Sequence, residues 1–127
     1  MRTPVCELPG IEQPVVLAPM AAVPRLAAAV WDAGALGMVT LTWSGDSGAV
    51  VRETAALTAR PFGGNLVLTE DRHRRLEAAL GAGLRIVSFS LGDPGGYIEQ
   101  VHDAGALSCT RPARPRKPGG PSRPAWT

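Results

Sequence analysis

A five-residue segment, Asp-Ala-Gly-Ala-Leu, occurs twice in this chain, at residues 32–36 and 103–107. A looser copy, Gly-Ala-Gly-Leu, occupies residues 81–84. In each copy an alanine- and leucine-rich stretch typical of a helix ends at a glycine, and a stretch typical of a strand follows. Glycine reverses the chain there because it readily adopts the left-handed conformation. The identical copies lie 71 residues apart, which matches two βα units of about 35 residues each.

The hydrophobic pattern between these turns predicts alternating strands and helices. Ser47 is a candidate N-cap of the second helix and Thr69 of the third. Strands that alternate with helices at this spacing imply a parallel sheet with right-handed crossovers. The predicted strands are 14–19, 36–41, 63–68 and 85–89, with a fifth begun at Ala106, and the predicted helices are 25–33, 47–59, 70–80 and 95–104.

The length of the chain limits how much of such a fold is present. A closed (β/α)8 TIM barrel needs roughly 250 residues, whereas this chain has 127. We therefore expect an α/β fold that is an incomplete barrel of about four βα units, over residues 1–107. A doubly wound open sheet is the structural alternative.

Charge and proline content change sharply after residue 107. Residues 1–107 carry eight basic and eleven acidic side chains, a net charge of −3, whereas residues 108–127 carry +5, no acid and five prolines. Proline removes backbone donors and blocks helix, so we expect a disordered tail. Three interpretations fit it: a cationic arm for nucleic acid, an inert disordered end, or a frame-shifted reading of a GC-rich coding sequence. The third is favoured because the only lysine of the chain lies in this tail.

Several classes of protein are excluded by simple features. The most apolar stretch, residues 14–31, is broken by Pro19, Pro24 and Arg25, so it is a poor membrane span. Glu7 and Glu12 argue against a signal peptide. The two cysteines show neither metal-ligand spacing nor a disulfide framework. A cytoplasmic protein without a metal site is the resulting expectation.

Residues that follow parallel strands are the first candidates for function, because ligands bind at the carboxyl ends of such strands. Asn65 stands in an otherwise apolar strand, where its amide contacts either a ligand or a neighbouring loop. Met20 fits a core position as well as a ligand contact. His73 and His102 fall in predicted helices, which argues against either as a catalytic base.

Five short segments follow one another along the first half of the chain. They are Cys-Glu-Leu-Pro-Gly-Ile-Glu-Gln-Pro-Val-Val at 6–16, Ala-Pro-Met-Ala at 18–21, Leu-Ala-Ala-Ala-Val at 26–30, Ala-Gly-Ala-Leu-Gly at 33–37 and Arg-Pro-Phe-Gly-Gly-Asn-Leu at 60–66. In this order they resemble the nitronate monooxygenases, formerly called 2-nitropropane dioxygenases. Two later stretches, residues 87–92 and 101–106, are also similar to that family, so the resemblance covers residues 6–107.

The resemblance implies a flavin-dependent barrel that binds FMN non-covalently and oxidises nitronates with O2 to a carbonyl compound and nitrite. By the same resemblance, the backbone of Ala18, Pro19 and Met20 lies against the isoalloxazine ring, and Asn65 contacts the flavin. Such a ring needs a flat, mostly apolar wall with a few amide donors and acceptors. The loop after Met20 is shorter than the family's, and Ala22 and Gly64 replace commoner residues.

The family's second-half histidine motif and phosphate-binding loops have no match in this sequence, so no catalytic residue is assigned and we expect the 127-residue chain by itself to be inactive. The partners that the resemblance implies are a small nitronate and O2. We expect no binding to nucleic acid or to a membrane. The alternative functions are a flavin-dependent enoyl-acyl-carrier-protein reductase, which shares a stretch similar to residues 92–97, and a catalytically empty βα remnant. The remnant would associate with itself through open strand edges.

Overall fold

The structure is a computed structural model that describes residues 3–7, 9–43, 45–70 and 72–110. Its helices and strands alternate from α2 to the last strand. None of the helices in the described residues is long and apolar enough to cross a membrane. In chain order the elements are α1 (Pro4–Glu7), α2 (Pro24–Asp32), β1 (Met38–Thr40), α3 (Ser47–Leu57), β2 (Gly63–Val67), α4 (His73–Gly81), β3 (Ile86–Ser90), α5 (Gly95–Asp103) and β4 (Leu107–Thr110).

The four strands form one parallel sheet in the order β1-β2-β3-β4. The helices pack in the same sequence, α2 against α3, α3 against α4, and α4 against α5. Sequential strand order with no reversal is the winding of a barrel, whereas a doubly wound sheet reverses its order part-way. The predicted α/β fold with about four parallel βα units is confirmed, and the doubly wound alternative is wrong.

The three glycine turns predicted from the repeated segment have one geometry. Gly34, Gly83 and Gly105 have φ values of +95°, +106° and +73°. At the first turn the amide of Gly34 donates to Trp31 O (2.9 Å) and that of Ala35 to Val30 O (3.1 Å). The other two turns repeat this pair of bonds, which is the Schellman arrangement that satisfies the last carbonyls of a helix.

The first predicted strand, 14–19, is reduced to a single bridge between Val16 and Leu36. Leu17 N donates to Leu36 O (2.9 Å) and Leu36 N to Val15 O (2.9 Å), so the segment follows one edge of the sheet. Prolines at both ends of this segment supply no amide hydrogen, and this limits the pairing to its middle. Residues 14–19 are called the edge segment below.

Two predicted helix caps are wrong. Asp46, not Ser47, caps α3, because its Oδ1 accepts a hydrogen bond from Ala49 N (3.0 Å). The Ser47 hydroxyl instead donates to Arg75 O in α4 (2.8 Å). Thr69 does not cap the next helix, since α4 begins only at His73 and its N-cap residue makes no side-chain cap bond.

The carboxyl end of the described chain is strand β4, which extends to Thr110. Residues 108–110, expected to begin the tail, therefore belong to the sheet and pair with β3. The rest of the predicted tail, residues 111–127, lies outside the described residues.

Candidate functional site at the carboxyl ends of the strands

The register of the sheet determines which side chains share its inner face. Phe89 faces the helices, because its ring lies 5.8 Å from that of Tyr97 in α5. Ser108 faces the same way, with its Oγ 3.5 Å from His102 Nε2. Side chains alternate along a strand, so the neighbours of these residues point to the opposite, inner face.

Four residues of the inner face form one row across the sheet, because Thr40 pairs with Asn65, Asn65 with Ser88, and Ser88 with Cys109. The row one step towards the amino ends, in contrast, is made of Met38, Gly63, Ile86 and Leu107. A polar layer thus follows an apolar one towards the carboxyl ends of the strands.

The Asn65 side chain is buried, and it is held by β3 rather than by a loop. Its Nδ2 donates to Ser88 Oγ (2.8 Å) and to Ser88 O (3.3 Å). The Ser90 hydroxyl donates to Asn65 Oδ1 over a longer distance of 3.4 Å. These bonds fix the orientation of the amide and leave acceptor capacity on Oδ1. The sequence identified Asn65 but not its serine partners, because only the strand register reveals them.

Ala18 and Pro19 end the edge segment and Met20 directly follows it, next to β1. Ala21 O accepts a hydrogen bond from Thr40 N (3.4 Å), and Thr40 is the in-register neighbour of Asn65. The predicted flavin contacts are therefore at one end of the sheet, but β1 separates Asn65 from the other three. Met20 is 82% exposed, so its interpretation as a core residue is wrong.

The loop after β3 has a backbone conformation that its sequence does not favour. Leu91 has φ +54°, a left-handed value that is uncommon for a bulky residue. The next residue, Gly92, approaches the loop after β2 so closely that a Cβ there would lie 2.6 Å from Leu68 O. Strained backbone of this kind is often found at functional sites.

Of the four members of the polar row, Cys109 is the one with an ionisable side chain. Burial raises the pKa of the Cys109 thiol, so this row member is held in its neutral form. The two histidines lie on helices instead: His73 stacks on Tyr97 with a centroid distance of 4.1 Å, and His102 is in α5. In the part of the chain that the structure describes, no three His, Cys, Asp or Glu side chains come together as a metal site.

Comparison with known proteins identifies the family of this chain. The family model of nitronate monooxygenase matches residues 2–82, well over half of the chain. The chain belongs to the nitronate monooxygenase family. That family consists of flavin-dependent oxidoreductases, in agreement with the resemblance found in the sequence.

Curated relatives agree with this assignment. The chain is 49% identical over 61 residues to a nitronate monooxygenase of Pseudomonas aeruginosa, an alignment that covers 45% of this chain and 17% of the relative. It is 36% identical over 113 residues to a (3aS,4S,5R,7aS)-5-hydroxy-7a-methyl-1-oxo-octahydro-1H-indene-4-carboxyl-CoA dehydrogenase of Mycobacterium tuberculosis, covering 84% of this chain and 32% of the relative. The chain thus spans a third or less of the length of these relatives.

Solved structures confirm the barrel architecture. FabK from Thermotoga maritima superposes with a TM-score of 0.77 and 30% identity over 87% of this chain and 37% of that one. The nitroalkane oxidase of Streptomyces ansochromogenes gives a TM-score of 0.65 and 25% identity over 84% of this chain and 41% of that one. These neighbours are TIM-barrel enzymes.

Proposed function

We propose that this chain binds the ring of FMN at the carboxyl ends of its strands and contributes that site to the oxidation of alkyl nitronates. One observation carries the proposal: the buried amide of Asn65, oriented by Ser88, lies in a polar row next to the exposed Ala18 and Met20 and the half-buried Pro19. Membership of a flavin-dependent family supports the choice of cofactor.

The chemistry of these side chains fits a flavin ring. The ring is flat and largely apolar, with amide-like donors and acceptors along one edge. Ala18, Pro19 and Met20 offer backbone and apolar contact, while Asn65 offers its remaining acceptor capacity. The Ser88 and Ser90 hydroxyls keep the amide from rotating, so its oxygen faces a fixed direction.

When bound, FMN supplies the redox chemistry that takes electrons from the nitronate and passes them to O2. The part of the protein described here would bind and orient the ring and exclude water from its face. No residue of this chain is assigned the role of catalytic base. Cys109, held neutral by burial, keeps a negative charge out of the polar row.

A CoA thioester is the second candidate substrate. The carboxyl-CoA dehydrogenase aligns over 113 residues, whereas the nitronate monooxygenases align over 61. The two candidates share the cofactor site and differ in the substrate. The enoyl-acyl-carrier-protein reductase and the catalytically empty βα remnant remain alternative predictions of the function. The cytoplasmic location also remains a prediction.

The test measures FMN binding by the purified 127-residue chain. Binding is detected by quenching of flavin fluorescence and by flavin absorbance that is retained after desalting. Asn65→Asp keeps an acceptor oxygen but loses the Nδ2 donor that holds the side chain on Ser88, and it places a carboxylate against the Ser88 carbonyl. Because the side chain is then no longer held in the orientation that faces the ring, we expect FMN binding to weaken about five-fold, the equivalent of one hydrogen bond of about 1 kcal/mol. Glu77→Gln, on an exposed position of α4, is the control and should bind like the unmodified chain.

The reaction is tested by adding alkyl nitronate and air to the FMN-saturated chain and measuring nitrite release. A chain that binds no FMN refutes the cofactor assignment. Nitrite release by the FMN-bound chain would support the nitronate reaction, whereas oxidation of an acyl-CoA without nitrite release from nitronates would favour the second candidate.

A further inference from the structure

The hydrogen bonds between β1 and β2 change partners just beyond the end of β1. The regular ladder extends to Leu41, whose amide donates to Asn65 O (2.8 Å). In a regular parallel ladder the next bond would run from Val67 N to Leu41 O. Val67 N donates instead to the hydroxyl of Thr42 (2.8 Å). Leu41 O accepts a hydrogen bond from the guanidinium of Arg75 in α4 (3.0 Å). A side-chain oxygen thus takes the place of a backbone carbonyl at this point of the sheet.

The peptide group between Leu41 and Thr42 is turned across the sheet by this change. Its carbonyl points to the helix layer, where α4 lies, so its amide points to the opposite, inner face of the sheet. The Thr42 amide donates there to Thr40 Oγ1 (3.4 Å). Thr40 is the member of the polar row next to Asn65, and both threonines are buried. The turned peptide therefore connects the helix layer to the polar row.

Arg75 contacts both ends of the loop after β1. Its side chain reaches Leu41 O at the start of the loop, and its main-chain carbonyl accepts a hydrogen bond from the hydroxyl of Ser47 (2.8 Å), the first residue of α3. The bond from the guanidinium is charge-assisted, and such bonds are stronger than those between neutral groups. The bond to Ser47 uses only the backbone of Arg75. Replacing the arginine side chain therefore removes the contact to Leu41 O and leaves the contact to Ser47 in place.

We propose that Arg75 is a positioning residue of the flavin site. It holds the peptide between Leu41 and Thr42 in the turned orientation, and this peptide fixes the Thr40 hydroxyl of the polar row. From α4, Arg75 acts through Leu41 and Thr42 rather than by contact with the ring. The inference rests on the proposed function, because that function assigns the polar row to the flavin.

The first measurement is hydrogen exchange of the Val67 amide in the flavin-free chain, in a double-mutant cycle of Thr42→Val and Arg75→Met. Thr42→Val keeps the shape of the side chain but removes the acceptor of this amide, so its exchange should become about ten-fold faster. In the double variant α4 no longer holds Leu41 O, which can turn back and accept Val67 N as in a regular ladder. Exchange should then return to within about two-fold of the unmodified chain.

The Leu68 amide is the internal reference for this measurement. It donates to Ser90 O on β3 (2.9 Å) and has no part in the change of partners. A general loss of stability would accelerate the exchange of both amides, whereas the loss of one acceptor accelerates only that of Val67.

FMN binding separates a positioning role from a merely structural one. Arg75→Met and the double variant should each bind FMN about five-fold more weakly, because the Thr42 amide no longer faces Thr40. In the double variant this loss should persist although the Val67 amide is protected again. Arg75→Lys keeps a charged donor and should weaken binding only about two-fold. Arg74→Met, at the exposed neighbouring position of α4, is the control and should match the unmodified chain in both measurements.

Three results overturn the inference. The first is a Val67 amide that exchanges as fast in the double variant as in Thr42→Val. The second is equal FMN affinity of the Arg75→Met and Arg74→Met chains. The third is an FMN affinity that recovers in the double variant together with Val67 protection, because the orientation of the peptide would then not matter to the flavin.

Failure of the proposed function gives a different pattern. If the unmodified chain binds no FMN, the proposed function is refuted, and the flavin role of Arg75 is refuted with it. The exchange rates of Val67 still decide in that case whether Arg75 holds the turned peptide, because they are measured without flavin.

Discussion

Gly37 is the position where the approach of α2 to β1 allows no side chain. A Cβ at this residue would overlap the carbonyl oxygen of Ala27 and lie 2.7 Å from its carbonyl carbon and 3.0 Å from its Cα. All three atoms belong to the backbone of α2, so no rotamer change relieves the overlap. Gly37 O also accepts a hydrogen bond from Gly63 N (2.8 Å), which ties the same point to β2.

We expect Gly37→Ala to lower the free energy of unfolding by about 2–3 kcal/mol. Overpacking a core costs about 1–3 kcal/mol, and backbone obstruction places this case at the upper end. The chain relieves the overlap only by moving α2 away from the sheet. Displacement of α2 would also move residues 18–20, which precede it in the sequence, so FMN binding should weaken along with stability.

The measurement is urea unfolding followed by far-UV circular dichroism, with Gly81→Ala as the matched control. Gly81 is the last residue of α4, and a Cβ there meets nothing within 4 Å. Alanine is better than glycine inside a helix by about 0.5–1 kcal/mol, so this variant should be slightly more stable. Replacing glycine by alanine is thus expected to lower the free energy of unfolding at Gly37 and to raise it at Gly81. Equal shifts of the urea midpoint, at constant slope, would refute the close approach of α2 to β1.

Two further predictions follow from backbone conformation and burial. Gly83→Ala should cost about 1 kcal/mol although no atom obstructs the new Cβ, because φ is +106° there; a midpoint like that of Gly81→Ala would contradict the left-handed turn. Alkylation of Cys109 at pH 8 should be slower in the folded chain than in urea, because burial raises the pKa of its thiol. The contribution of this thiol to the free energy of unfolding is fully present at pH values below its pKa in the unfolded chain, and it is lost as the pH rises through its pKa in the folded chain. Equal alkylation rates in the folded chain and in urea would contradict the raised pKa.

The sequence correctly predicted the ends of the helices, which depend on the conformational preference of single glycine residues. The glycines of the repeated segment end their helices as expected, because a left-handed residue at that position needs no tertiary contact to be favoured. The helix starts were less predictable. Ser47 looks like a cap, but its hydroxyl serves α4, and the neighbouring Asp46 takes the capping role.

The candidate site was predictable only in part, since it depends on strand register. Asn65 was recognisable as a polar residue in an apolar strand. Its partners Ser88 and Ser90 lie more than twenty residues away, and nothing in the spacing states that they face Asn65. Met20 is ambiguous in sequence because a thioether suits both a core and a ligand surface, and only its exposure in the structure argues against the core position.

The polar row is therefore a property of the sheet as a whole rather than of a motif. Thr40, Asn65, Ser88 and Cys109 come from four βα units, and each occupies the equivalent inward position of its strand. Shifting any one strand by a single residue would turn its row member towards the helices. The apolar pairs of the outer face, such as Leu66 with Phe89, set this register because both are buried against the helices. The packing of the helix layer thus determines which polar groups meet at the site, so substitutions at Leu66 or Phe89 should disturb ligand binding without touching the ligand.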